Sequence, residues 1–446
     1  MAYCSSYYLY QRYEKRGDQD WIPSYPNVYS IDGEGSKPLR ARQMYDTDCG
    51  WIPDTEPIYR WINVTPSSDP STYWCDDCSS EYSGQYLTFV AIDSGTFSFS
   101  GTSSSTINNS SIEYSLDSGS TWNTLNRGVQ SPTITAGNKI MWRSIWLRPQ
   151  VSSNEGTGFF TSTGRFNVEG NAMSLFYETF QNRTSLSGVG TEAFKYLFRN
   201  CTGLVNAENL VLPATTLTNY CYSHMFEGCT SLTSIPELPA RTLTAGCYEG
   251  MFAFCSSLTT VPSNYLPTTT LANHCYRSMF YCCSSLTSVP ELPATTLASQ
   301  CYDGMFYGCT SLTSVPSNYL PSTTLAEMCY SDMFSGCTSL TAAPQLPATT
   351  LTYYCYSRMF QSCTSLTTAP VLSATTLATG CYSQMFAYCS LINYIRCLAT
   401  DISATDCTKL WLYNVSSSGT FVKASSMSSW PSGSSGIPSN WTVQNT

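Results

Sequence analysis

From about residue 200 to residue 389 the apolar positions recur in one fixed order. Cys221-Tyr222 opens a phrase, Met225-Phe226 follows, and Cys229 closes it. The opening cysteine returns at Cys247, Cys275, Cys301, Cys329, Cys355 and Cys381, and Phe226 at Phe252, Phe280, Phe306, Phe334, Phe360 and Phe386. The step is 26 residues from Cys221 to Cys247 and 28 from Cys247 to Cys275, the longer form carrying Pro-Ser-Asn-Tyr-Leu-Pro in the linker. With a weaker leading copy at Leu197-Phe198 and Cys201, there are about eight units. A fixed period in this range predicts a solenoid whose units bury their apolar faces only against neighbours.

Within a unit, Leu217, Cys221, Met225 and Cys229 are spaced by four, which predicts a short helix with one broad apolar face. Ser231-Leu232-Thr233-Ser234-Ile235 then predicts a short strand ended by Pro236, and a Thr of the Leu-Pro-Ala-Thr-Thr-Leu linker would cap the next helix. Stacked units of this kind give an α/β leucine-rich-repeat solenoid over residues 171–395, with the Cys and Phe positions above as internal core ladders.

The period is absent on either side. Residues 85–170 alternate apolar and polar in short runs such as Tyr86-Leu87-Thr88-Phe89-Val90, predicting a β-sandwich, Ig-like in outline. Inside it, Ser115-x-Asp117-x-Gly119-x-Thr121-Trp122 resembles an Asp-box hairpin, in which Asp would serve turn amides, Gly take positive φ, and Trp pack beneath. Residues 1–84 are a Tyr/Trp-rich, β-prone segment with Pro turns. Residues 396–446 read as a C-terminal cap, which a repeat array needs to cover its last apolar face. The chain is thus multidomain.

Composition narrows the function. Only 11% of residues are charged and 14% are aromatic, and the net charge is −9, so no basic face is offered to nucleic acid. No run approaches the roughly 18 apolar residues of a membrane span, and the N-terminus lacks the order of a signal peptide, so synthesis in a cytosol without general secretion is expected. Eighteen of the 22 cysteines lie in the half from Cys201 onward, most of them at the core spacing of the repeats, and are expected as buried free thiols. Cys75-Asp76-Asp77-Cys78 is a weak zinc candidate without a second Cys-x-x-Cys, and no cofactor is implied. Two histidines and no facing pair of acids leave triad or glycosidase chemistry without residues, so the chain is expected not to be an enzyme. Tyr281 and Tyr307 in variable repeat slots, with Tyr265 and Tyr319 in the long linkers, are the candidate binding residues, because sugar faces stack on exposed rings.

The repeat phrase Met305-Phe306 to Leu312, with Leu292 to Leu297, resembles the BspA-like leucine-rich repeats of Bacteroidetes bacteria and their phages. Tyr114 to Trp122 and Gly164 to Asn171 resemble blocks of the same group. Arg16 to Pro23 and Tyr59-Arg60-Trp61 look like N-terminal segments of tail-associated proteins in gut phages, including crAss-like ones. The resemblance implies a virion protein of the tail or a surface appendage. Residues 1–84 would dock onto other virion proteins, and the solenoid would recognise a host-surface glycan or protein. A purely structural virion decoration and a Bacteroidetes cell-surface adhesin are the alternatives, and the oligomeric state is left open.

Overall fold

Alternation governs the first well-defined layer. In β5 (Leu87–Ala91) the residues Leu87, Phe89 and Ala91 point inward and are buried, as period-two side-chain placement requires. A computed structural model of the chain describes residues 84–100, 112–144 and 158–446, and before them only four short strands. Of these, β1 (Tyr13–Glu14) pairs with β2 (Ile22–Pro23), and β3 (Met44–Asp46) pairs with β4 (Gly50–Ile52), both antiparallel. Cys4, Cys49, Cys75 and Cys78 lie outside the described residues. Residues Met1–Ser83 and Gly84–Thr446 are separate compact units.

In the second unit, β5 lies between β9 (Lys139–Arg143) and β11 (Phe166–Asn171). The hairpin of β7 (Ile112–Ser115) and β8 (Asn123–Leu125) extends this sheet on one side, and β12 (Leu204–Val211) extends it on the other, parallel to β11. A two-stranded sheet of β6 (Phe97–Ser100) and β10 (Phe159–Ser162) packs against it. Rings of both layers meet between them: Phe89 lies 5.2 Å from Phe97 and 4.8 Å from Phe160, and Trp142 lies 5.1 Å from Phe160. The segment is strand-rich, but its larger sheet runs on into the repeats through the parallel β12, so it is not the self-contained sandwich expected. Its aromatic core continues into the repeats without a break, because Phe160 stacks on Phe198 at 5.9 Å and the Phe160 amide donates to the Leu197 carbonyl at 2.8 Å.

The repeats stack, but without the helices expected of them. Among the described residues there is no α-helix, and the one helical turn is 3-10, Ala172–Leu175. The coil around Cys301 shows what replaces it. The amides of Cys301, Asp303, Met305, Tyr307 and Cys309 each donate to the carbonyl three residues back. Those of Gln300, Tyr302, Gly304, Phe306 and Gly308 donate to Glu327, Cys329, Ser331, Met333 and Ser335 of the next coil. Each run is therefore a chain of four-residue turns in which every second amide bonds to the neighbouring coil. Gln300, Gly304 and Gly308 have φ of 54°, 60° and 69°, and the other coils repeat this spacing of left-handed residues. A left-handed residue in every fourth place cannot belong to a right-handed helix, and it produces the same spacing of apolar positions. That is why the sequence pattern imitated a helix.

The strand ladder expected on the opposite side is also reduced. Between β12 and β13 (Tyr394–Cys397) it consists of isolated bridges such as Ala342 to Thr368, and of single contacts such as the Thr341 amide and hydroxyl on the Thr313 carbonyl at 3.1 and 3.2 Å. A proline in every coil removes the amide a continuous ladder would need.

The core ladders are as expected and gain a second aromatic column. Phe226, Phe252, Phe280, Phe306, Phe334, Phe360 and Phe386 stack coil on coil at 5.4 to 5.8 Å. Beside them the tyrosines from Tyr222 to Tyr382 stack at 5.7 to 6.3 Å. Cys221, Cys247, Cys275, Cys301, Cys329, Cys355 and Cys381 are free and fully buried. The tyrosine column ends on Trp411 at 6.3 Å, which stacks on Trp430 at 5.6 Å. Residues Asp406, Leu410 and Asn414 repeat the left-handed spacing, so the region expected as a cap begins with one more turn-built coil. A parallel sheet of β13, β14 (Gly419–Lys423) and β15 (Trp441–Asn445) closes this end.

Candidate recognition surface

Two variable slots follow each buried Phe, open in some coils and buried in others, as at Ala253, Ser335 and Ala387. The first holds Glu227, Ala253, Tyr281, Tyr307, Ser335, Gln361 and Ala387 in successive coils, and the second holds Gly228, Phe254, Cys282, Gly308, Gly336, Ser362 and Tyr388. Tyr281 and Tyr307 occupy neighbouring coils and stack at 4.6 Å with planes 4° apart. Partial burial, the adjacent Cys282 and Tyr307, and nearby Asp332 push the Tyr281 phenol up to about 12. Both tyrosines remain partly exposed.

Tyr265 and Tyr319 do not share this surface. They are 8% and 5% exposed, and their hydroxyls donate to the carbonyls of Pro236 at 2.8 Å and Pro290 at 2.9 Å. Each long linker folds its tyrosine inward beside the phenylalanine column, Tyr265 at 6.3 Å from Phe252. Buried aromatic surface with a satisfied hydroxyl outweighs exposure here. The assignment of these two as binding residues is corrected. Other variable slots are buried as well, Ser331 at 1% and Ser357 at 0%.

Two residues that the sequence reading did not single out complete the surface. Phe254, 45% exposed, meets Tyr281 at 5.3 Å with planes 60° apart, and Tyr388, 44% exposed, meets Tyr413 at 5.3 Å and 86°. The signal available was a bulky ring in a slot that elsewhere holds Gly, Ser or Cys. Between these rings the second slot runs through the partly exposed Cys282, Gly308, Gly336 and Ser362.

Beside this row lies a chain of ion pairs from the turns preceding Met-Phe. Arg277 reaches Glu249 at 3.3 Å in one neighbouring coil and Asp303 at 3.1 Å in the other. Arg358 holds Asp332 with two bonds of 2.7 and 2.8 Å. Burial pushes the Asp303 carboxyl up against the opposing pull of Arg277. Each carboxylate on this face is thus already engaged by a guanidinium. Among the described residues no group of three His, Cys, Asp or Glu side chains is placed to hold a metal ion, and no helix is long and apolar enough to cross a membrane.

The Asp-box hairpin stands apart from this face and is tied from within. Asp117 accepts from the Thr121 hydroxyl at 2.6 Å, the Thr121 amide at 2.8 Å and the Ser115 hydroxyl at 2.7 Å, which hold its carboxyl down to about 2. Trp122 donates to the Gly119 carbonyl at 3.0 Å and lies under the Arg143 guanidinium at 4.2 Å. The polar side chains of Ser115, Asp117, Thr121 and Trp122 are all used in holding the turn.

Stacked coils with internal Leu, Cys and Phe ladders define the chain as a leucine-rich-repeat protein. The family model of the BspA type leucine rich repeat region matches six copies, over residues 172–302 and 273–405. These spans together cover more than half of the chain, and the chain belongs to this family. No match was found among curated proteins or among solved structures.

Proposed function

We propose that this protein recognises a cell surface through the turn face of its repeats, as a tail-associated or surface-appendage protein of a phage of gut Bacteroidetes. The repeats of this family are consistent with a surface-binding or adhesin-like protein. The observation that carries the reading is the exposed aromatic row of Phe254, Tyr281 and Tyr307, set beside ion pairs on a rigid stack. Rings and hydrogen-bonding groups at fixed spacing suit glycan recognition. Residues 1–84 would dock onto other virion proteins, on the resemblance of Arg16 to Pro23 to phage tail segments. Binding, without catalysis, is the proposed activity.

The test is retention of the purified full-length protein on host cells and on their extracted surface polysaccharide, with antibody labelling of virions in parallel. Saturable retention together with labelling of the particle is the expected outcome. Labelled virions whose protein binds neither cells nor polysaccharide would make it a structural decoration. A signal on host cells alone would make it a bacterial adhesin.

A further inference from the structure

The ladder rings use both faces on one another, whereas two exposed rings on the same surface do not. Along the core columns successive planes lie within 16°. Phe254 is turned 60° out of the plane shared by Tyr281 and Tyr307, and the Tyr388–Tyr413 pair meets at 86°. A ring turned out of a stack and left exposed offers a face for a ligand. Phe254 and Tyr388 occupy the same slot of coils five steps apart. The four intervening coils place only Cys282, Gly308, Gly336 and Ser362 in that slot. We call this row of small side chains along the stack axis, with an exposed ring as a platform at each end, the trough. At a strand-pairing spacing of about 4.8 Å per coil, five steps separate the platforms by roughly 24 Å.

The two rims differ in chemistry. One carries the Arg277 and Arg358 ion pairs, whose charges are mutually engaged. The other carries the hydroxyl residues that follow each closing cysteine, among them the exposed Thr310 and Thr364. An anionic ligand would find no uncommitted cation on the first rim and a chain of net charge −9 around it. A ligand rich in hydroxyls would find acceptors and donors on both. In an extended glycan the ring planes run along the chain, so its sugars present their faces to platforms turned out of the ladder.

Resting on the recognition reading above, we propose that the trough between Phe254 and Tyr388 binds a neutral, extended, linear glycan lying along the stack axis. Its ends rest on the two platforms, and its hydroxyls meet the Arg358–Asp332 pair on one rim and Thr310 on the other. The floor must stay small: a bulky side chain at Ser362 would block the path without disturbing the coil, because the equivalent slot already holds Phe254 and Tyr388.

The experiment is calorimetric titration of the full-length protein with β-1,4-linked gluco- and manno-oligosaccharides of increasing length, and with oligogalacturonates of matched length as the anionic arm. Affinity is expected to rise with the length of a neutral chain and to level off once both platforms are spanned. Phe254→Ala, Tyr388→Ala and Ser362→Tyr are each expected to lower it about tenfold or more while leaving the melting temperature of the repeats unchanged. The proposal is overturned if affinity does not depend on length, if the anionic series binds better, or if all three variants bind as the wild type does. Wild-type protein that binds host cells but none of the neutral oligosaccharides would overturn the trough and leave cell-surface recognition standing. Binding to neither would overturn both.

Discussion

The thiol of Cys309 donates to the carbonyl oxygen of Phe280, one coil earlier, at 3.2 Å. The Cys309 amide uses the carbonyl of Phe306 in its own coil, so this residue ties two phenylalanines of the central column together. The same bond recurs from Cys229 to Phe198 and from Cys389 to Phe360. Cysteine at this position is thus both a small apolar filler and a donor to a buried carbonyl.

Removing that thiol should cost stability even though the side chain is small. Cys309→Ala is expected to lower the unfolding free energy by about 1–2 kcal/mol, from a lost hydrogen bond and a small void. Cys282→Ala, at a partly exposed slot, should change it by less than about 0.5 kcal/mol. Denaturant melts of both variants check this, and equal losses would mean that the buried bond contributes nothing.

Gly304 isolates the energetics of the turn run. Its φ is +60°, yet an added Cβ would meet only the Ser278 hydroxyl at 3.4 Å and Tyr281 Cδ2 at 3.9 Å, both ordinary contacts. Loss in Gly304→Ala therefore reports backbone conformation, not crowding, and should be about 1 kcal/mol. Gly304→Asn should lose less, since Asn tolerates the left-handed region. A helical coil would instead be stabilised by alanine, so thermal melts of this pair also test the architecture.

Tyr265 separates packing from recognition. Tyr265→Phe leaves the buried Pro236 carbonyl without its hydroxyl donor and should cost about 1 kcal/mol. Retention on host cells should be unaffected, in contrast to Phe254→Ala. A Tyr265→Phe variant of wild-type stability and impaired retention would return this residue to the surface.

The Asp-box supplies a pH signature. Thr121, through its hydroxyl and then its amide, and the Ser115 hydroxyl favour ionised Asp117, holding it at about 2. Because this lies below the unfolded value of about 3.9, its contribution is present above about pH 4 and disappears as pH falls through about 2. A carboxyl-carbon NMR titration should place the Asp117 midpoint near 2. A midpoint near 4 would show that the turn is not tied as described.

The repeat, its step, its buried cysteines and its phenylalanine column were legible in the sequence, because every coil must present the same residue to the same neighbour. Those constraints are local to a slot and survive whatever backbone carries them. The Asp-box hairpin was legible for a related reason: its hydrogen bonds close within seven residues, from Ser115 to Thr121. The backbone of the coils was not legible. A spacing of four between Leu217, Cys221, Met225 and Cys229 serves a helix and a chain of four-residue turns equally. Only the destination of alternate amides, the next coil rather than the same one, separates the two. Nor could the sequence say which tyrosines face out. Tyr265 and Tyr281 are alike in composition, and what decides between them is whether a neighbouring coil offers a buried carbonyl, as Pro236 does to Tyr265, or an open flank, as at Tyr281. That choice depends on atoms 29 residues away, so it belongs to the tertiary structure alone.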